Sequence, residues 1–414
     1  MKPFKLLLLV SLAILGIVYA ALMLGRIFTT APNDLDLNVT RKAVPDAANG
    51  VKQLELAAAE LWWPENLRKP LNDLAQGTNW DAGFALTVLS SNTAALGAID
   101  AALQSPDFQV PEYQFGNASD YLSDWKELAQ LANVRIYATF KAGQEREAFA
   151  KAFDLIRLAN RMQAGNGPIL DYLVGTAVKN IALTTVRNLT ISTLLRPEEL
   201  TTLAIELPRG AENFGALSNA LKVEYQAQKQ YAVDLREGKI TGASGVSSVG
   251  MRLLPIFNIH RTQNKYAEHT RKLLQALPHP YLIGQPTVTN ARPGMTRMVL
   301  SGNVVGEVIY HMTTPAIDGV VRQKSAEHLQ IQASATMLAL KAYQLTYGRR
   351  PAELKELVPQ FLPALPVDDF DGKPLRYHAE KKLLYSVGKD GKDDGGTETD
   401  ARKHEPDWVF PIAF

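Results

Sequence analysis

The 414-residue chain contains no cysteine. That excludes disulfides, thiolate nucleophiles, and zinc or iron–sulfur centres ligated by cysteine. It fits an oxidising compartment reached without disulfides, and does not require one. An excess of either charge is also missing. The 44 Lys and Arg stand against 42 Asp and Glu, a formal +2, and no basic block interrupts the mixture. The sequence therefore makes no electrostatic case for nucleic acid, and no nucleic-acid partner is expected. Seven histidines leave a histidine-based metal site open in principle.

Reaction signatures are lacking as well. There is no G-x-S-x-G; "GASGVSSVG" (Gly242 to Gly250) is only similar to it. No H-E-x-x-H and no G-x-x-x-x-G-K-[ST] occur. "GNGP" (Gly165 to Pro168) lacks the third glycine and the preceding strand of a dinucleotide fingerprint. Glu268-His269 and Glu327-His328 are adjacent pairs within helical runs. Neighbours on a helix point in different directions, so these are expected at exposed helix positions rather than as acid–base pairs.

What is present starts at the N-terminus. Lys2 and Lys5 precede an uncharged run, "LLLLVSLAILGIVYAALMLG", from Leu6 to Gly25, and Arg26 ends it. Twenty helical residues span about 30 Å, the thickness of a bilayer core. A cleaved signal peptide has a shorter apolar region and a small-x-small site. Val18-Tyr19-Ala20 offers such a site, but the apolar residues continue to Leu24. An uncleaved single-pass anchor is the favoured reading. The lysines argue for a cytoplasmic amino end, though Arg26 blurs the asymmetry. In a bacterium with two membranes the body would then lie in the periplasm, tethered to the inner membrane.

Residues 29–49 are mixed, contain Pro32 and Pro45, and read as a tether. From residue 50 to 314 the signal is helical. The spacing predicts helices over 51–63, 80–103, 120–141, 145–164, 169–195, 197–206, 213–237 and 260–277, while 295–314 is ambiguous. Leu128, Leu131, Val134 and Ala138 share one face, as do Phe149, Phe153, Ile156 and Ala159. The two helices carrying them form a helical hairpin that resembles a tetratricopeptide-like unit in outline. No 34-residue period repeats it. Trp62, Trp63, Trp80 and Trp125 are available as binding anchors, although large aromatics are more often core. Helical-hairpin stacks often present grooves to partner segments.

From 315 to 414 the character changes. Residues 323–347 form one long helix with Leu329, Ala333, Met337, Leu340 and Tyr343 on one side, ended by Gly348. A short helix follows Pro351. Two strand-like runs, "LRYHA" and "LLYSV", flank the turn "EKK" and predict a hairpin. Then comes "YSVGKDGKDDGG", Tyr385 to Gly396.

The order of these residues resembles the soluble part of the major pseudopilin of bacterial type II secretion. The matching positions are Tyr347, Gly348, Arg349 and Pro351, then Pro366, Asp368, Asp369, Gly372 and Pro374, then Ser386, Gly388, Asp390 and Gly391. The resemblance covers about residues 325–412. It implies a small α+β module and calcium in the last loop, with a carbonyl near Val387, Asp390, and a later aspartate assigned to Asp400. Asp393 and Asp394 add carboxylates. Hard cations take six to eight such oxygens. The alternative is a solvated turn, since Asp and Gly are turn residues in any case. An EF-hand spacing fails, because Lys392 and Ala401 fall on liganding positions.

The departures matter too. No prepilin-type leader precedes Leu6, no acidic residue lies in the apolar run, and that run is about 300 residues from the module. Pilus assembly is therefore not expected. The whole chain resembles bacterial envelope proteins with an anchor, an Ala/Leu-rich helical domain and this C-terminal module. The expected fold is mainly α with a small α+β end: residues 1–28 anchor, 29–49 tether, 50–314 helical domain and 315–414 pseudopilin-like module. The expected function is a noncatalytic scaffold or binding protein with partners in the envelope and structural calcium. The alternatives are an accessory pseudopilin-like subunit, or an envelope enzyme whose site is assembled from scattered residues.

Overall fold

An uncharged apolar run without an internal Pro has little to do but close its own backbone hydrogen bonds. Pro3–Phe28 accordingly form one helix, α1, about 39 Å long. The computed structural model describes residues 3–114, 121–240, 248–284, 294–397 and 407–414. No residue of α1 is buried along the stretch Leu8–Phe28, which is long and apolar enough to cross a membrane, although Leu22, Met23 and Arg26 near its end are half-covered by the body. Residues 29–49 then run along the body. Leu37 is fully buried against Tyr225, Tyr266 and Ala267. Asp34 takes a 2.6 Å ion pair from Lys229, and Asp36 a 2.7 Å pair from Arg271.

The body begins with α2 (Gly50–Ala59), α3 (Arg68–Gln76), α4 (Ala82–Ser91) and α5 (Thr93–Gln104). The run 80–103 is thus two helices, bent by 69°. Asn92 marks the bend. Its side chain accepts from the Trp62 amide (2.7 Å) and donates to the Trp62 and Val88 carbonyls. A polar side chain serving another segment's backbone explains a break that apolar spacing does not show.

The centre is built by α6 (Tyr121–Lys141), α7 (Glu145–Ala164), α8 (Ile169–Ser192), α9 (Pro197–Ala211) and α10 (Phe214–Glu237). Gly143, at φ 81°, turns α6 into α7. By length and composition α8 also passes as a membrane span. It is packed, however, against α6, α7, α10 and, from the far end of the chain, α16 (Val320–Tyr347). Between α10 and α16 lie α11 (Ser248–Leu253), α12 (Ile259–Ala276), α13 (Tyr281–Gly284), α14 (Met295–Leu300) and α15 (Val304–Asp318). The ambiguous stretch 295–314 is therefore helical, interrupted at Gly302, which has φ 65°.

Long and rich in small residues, α16 is buried on nearly every side and packs on α8 and α9. Ala333, Ala335, Ala339 and Ala342 let its backbone come close to its neighbours. After a 3-10 turn at Leu354–Leu357 come three antiparallel strands, β1 (Arg376–His378), β2 (Leu383–Ser386) and β3 (Trp408–Pro411), in the order β1-β2-β3. The predicted hairpin is present, with Tyr377 opposite Leu384. Phe370, Leu375, Leu384, Phe410 and Ile412 join the same apolar cluster as α5 to α9. Each such fully buried side chain contributes about 1.5–3 kcal/mol. The sheet end is thus held by the helical core, not by a linker. A second clamp comes from α13. The Tyr281 and Leu282 amides donate to the Asp369 and Phe370 carbonyls at 2.8 Å, and Lys324 pairs with Asp369 at 2.7 Å.

Candidate functional site

Three polar constellations are built into this apolar frame. The deepest lies where α7, α8 and α16 meet. Lys179 pairs with Glu327 and donates to the Gln163 side chain and the Ala211 carbonyl, both at 2.8 Å. Glu327 also accepts from Tyr172 Oη (2.7 Å), Thr176 Oγ1 (3.0 Å) and Gln163 Nε2 (3.0 Å). Burial works against the charge of Glu327, yet Lys179 and the neutral donors hold its carboxyl below the usual range. Burial likewise draws Lys179 down, opposed by Glu327. Every donor on the ammonium is used. Glu327 is therefore buried, contrary to the exposed position expected from its place beside His328; His269 is buried too. The available signal was Lys179, the one charged residue in the apolar stretch between Asp171 and Arg187.

The second constellation sits at the start of α8. Asp171 accepts from Tyr121 Oη at 2.8 Å, and its other oxygen is buried without a donor. Glu224, from α10, accepts weakly from the Ile169 amide at 3.4 Å. Burial pushes Asp171 up to about 6 and Glu224 up to about 7, and Asp171 further disfavours the charge of Glu224. The "GNGP" turn explains the crowding. Asn166 has φ 55°, and a Cβ on Gly167 would collide with the Asp171 carboxylate. Arg41 donates to the Asn166 carbonyl at 2.7 Å. It also lines a cleft of about 500 Å³ between the 29–49 segment and α10, together with Tyr113, Gln114, Gln226, Gln230 and Tyr231. Amides and phenols there offer both donors and acceptors, which suits a polar extended segment.

The third is the C-terminal loop. Asp390 accepts from its own loop, from the Lys392 amide at 3.0 Å. Asp393 accepts from Tyr385 Oη (3.2 Å) and the Gly395 amide (3.0 Å), and faces Arg376 at 3.8 Å. Val387 is buried, and its amide reaches Asp368. Asp400 lies outside the described residues. Asp407, just before β3, takes its place near the loop: its Oδ2 accepts from the Asp394 and Gly396 amides at 3.1 and 2.9 Å. Asp394 Oδ2 and Asp407 Oδ1 are both buried without a donor. Burial, with Asp393 and Asp394 nearby, pushes the Asp407 carboxyl up. Two donor-less carboxylate oxygens fit a hard cation. Among the described residues, no three His, Asp or Glu side chains form a group able to hold a metal ion, so carbonyls or water would have to complete the shell. Asp407 carries no signal of its place beside the loop, because ten residues lie between it and Gly396.

Trp125 is core, stacked near Tyr121 and Phe108, and Trp62, Trp63 and Trp80 pack at the edge of the same cluster. None of the four lines the cleft. No family model matches the chain, and neither the curated proteins nor the solved structures contain a match to it.

Proposed function

We propose that the protein is a membrane-anchored, noncatalytic scaffold or binding protein of a bacterial envelope, held by a single span, α1, in the inner membrane with its body in the periplasm. The observation that carries the reading is the contrast between α1 and the rest. None of its apolar side chains from Leu8 to Phe28 is buried, while α8, the other helix of spanning composition, is enclosed by four helices and carries the Lys179–Glu327 pair. A partner segment binds in the cleft beside Arg41, Gln226 and Gln230. Calcium, in a structural role, is held by the C-terminal loop through Asp393, Asp394, Asp407 and the carbonyls around Val387 and Asp390. The long helix, 3-10 turn, sheet and aspartate loop, in that order, support a pseudopilin-like module at this end. The burial of α16 on nearly every side argues for a docked cap rather than a polymerising subunit.

Protease added to spheroplasts is expected to digest the body, and protection of the body overturns the topology. A photo-crosslinking amino acid at Gln230 in intact cells is expected to capture an envelope protein. Capture that Gln226→Ala and Arg41→Ala leave undiminished counts against the cleft.

A further inference from the structure

The foot of the body, where α1 enters it, carries a surface that the anchor alone does not explain. One stripe of α1 faces the body: Tyr19, Leu22, Met23 and Arg26, spaced i, i+3, i+4, i+7. Tyr19 Oη donates to the Leu253 carbonyl at 2.8 Å, and Arg26 donates to the Met251 carbonyl at 3.2 Å. Leu22 lies against Gly302, just past the end of α14. The short helices α11 and α14 therefore flank the last two turns of the apolar run.

Depth follows from helix rise. Tyr19 is six residues before Gly25, so its level is about 9 Å inside the end of the run. The twenty residues Leu6 to Gly25 are just enough for a core of about 30 Å. If the whole run is in the bilayer, the Leu253 backbone is at acyl-chain depth and cannot be in water. The side chains agree. Met251 and Met298 point into the body and are buried, whereas Val249, Leu253, Leu254, Met295, Val299 and Leu300 are 49% to 65% exposed. The charge agrees too. Between Gly238 and Gly306 there are eight Lys and Arg and one acid, Glu268, and once Lys239, Lys265, Arg271 and Lys272 are set aside with their ion-pair partners, the cations left are all arginines. Arg252 and Arg297 lie within the two short helices themselves.

We propose that α11 and α14 form an interfacial foot that beds into the bilayer leaflet beside α1, its apolar residues among the acyl chains and Arg297 at anionic phospholipid headgroups. Apolar side chains below and basic side chains at the rim are what an in-plane amphipathic element presents to lipid, and long arginines reach up to the headgroups. The foot fixes the body's orientation over the membrane. The inference rests on reading α1 as a membrane span, and holds whichever side of the membrane the body occupies.

The cysteine-free chain makes the test direct. Single variants Leu254→Cys and Val299→Cys in the full-length protein are labelled with an environment-sensitive fluorophore. Leu15→Cys within α1 and Leu194→Cys, exposed at the end of α8, serve as references. The probe is a vesicle of phosphatidylcholine with phosphatidylglycerol, or of phosphatidylcholine alone, carrying nitroxide-labelled acyl chains. Labels at 254 and 299 are expected to shift to the blue and to be quenched by the nitroxide lipids, as at 15 and unlike 194. Arg252→Glu with Arg297→Glu is expected to weaken that quenching in the phosphatidylglycerol vesicles. Quenching at 15 with aqueous emission at 254 and 299 overturns the foot and leaves the anchor standing. Aqueous emission at 15 as well overturns both. Blue-shifted labels at 254 and 299 that the lipids do not quench, with energy transfer between copies, show a second copy on this face and also overturn the proposal.

Discussion

Lys179 and Glu327 are 148 residues apart in the chain and form an ion pair enclosed by α7, α8 and α16. Every donor of the ammonium is used, and the carboxylate takes three further donors from neutral side chains. The pair ties the C-terminal long helix to the middle of the helical domain. It adds to the apolar packing by which the last hundred residues share a core with the rest.

Removing one partner should be costly. Lys179→Met leaves a buried carboxylate without its counter-charge and is expected to destabilise the fold by about 3–5 kcal/mol. The double variant Lys179→Met with Glu327→Leu removes both charges and is expected to recover part of that loss. Urea unfolding of the detergent-solubilised chain measures both. Equal losses for the single and double variants would refute a role for the charge itself.

The second prediction concerns pH. Asp171 and Glu224 titrate at about 6 and about 7 in the folded protein, above their ordinary values, because burial disfavours their charged forms. Between about pH 4 and pH 7 the folded state therefore binds more protons than the unfolded state, and stability falls as pH rises through that window. The loss is on the order of 3 kcal/mol for each group at most. The melting temperature is expected to be higher at pH 5 than at pH 8. Glu224→Gln should flatten the difference, and a melting curve indifferent to pH in the parent protein would contradict it.

How much of this was legible is decided by distance along the chain. The α6–α7 hairpin is local: Leu128, Leu131 and Val134 on one helix and Phe149 and Ile156 on the next show their buried faces within two turns. The α16 stripe from Leu329 to Tyr343 is likewise visible, but it understates the burial, because Ile331, Ala335 and Leu338 on the other faces are covered by distant helices. The bend at Asn92 depends on Trp62, thirty residues away, and Glu327 depends on Lys179. Such pairings leave no periodic trace. In the C-terminal loop the composition drew attention to Asp390, Asp393 and Asp394, while Asp407, which caps two loop amides, stands next to β3 and reads as its flank.

A third prediction tests local packing. Gly77 ends α3 at φ 69°, and a Cβ there would run into the Tyr137 ring. Left-handed backbone and overpacking both oppose a side chain. Gly77→Ala is expected to cost about 1–3 kcal/mol. Gly143 has a similar φ, 81°, with open space around it. Gly143→Ala should therefore cost less, and comparable losses in thermal unfolding would mean that the Tyr137 contact is not the cause.

The last prediction separates calcium from a plain turn at the C-terminal loop. Asp407 does two things with its two oxygens: Oδ2 accepts from the Asp394 and Gly396 amides, and Oδ1 is buried without a donor, as is Asp394 Oδ2. Asp407→Asn keeps an acceptor for the two amides and removes the charge. If the loop is a turn alone, the substitution relieves repulsion with Asp393 and Asp394, and neither calcium nor a chelator moves the melting temperature of either protein. If the loop holds calcium, the parent protein gains stability with added calcium, by about 2.7 kcal/mol at a hundred times the dissociation constant, and Asp407→Asn loses that gain. Asp390→Asn, whose parent side chain accepts from Lys392 within its own turn, then reports whether the first aspartate is a ligand or only a turn residue. Calorimetric titration of the three proteins reads the difference directly, and an absence of heat in the parent protein would rule calcium out.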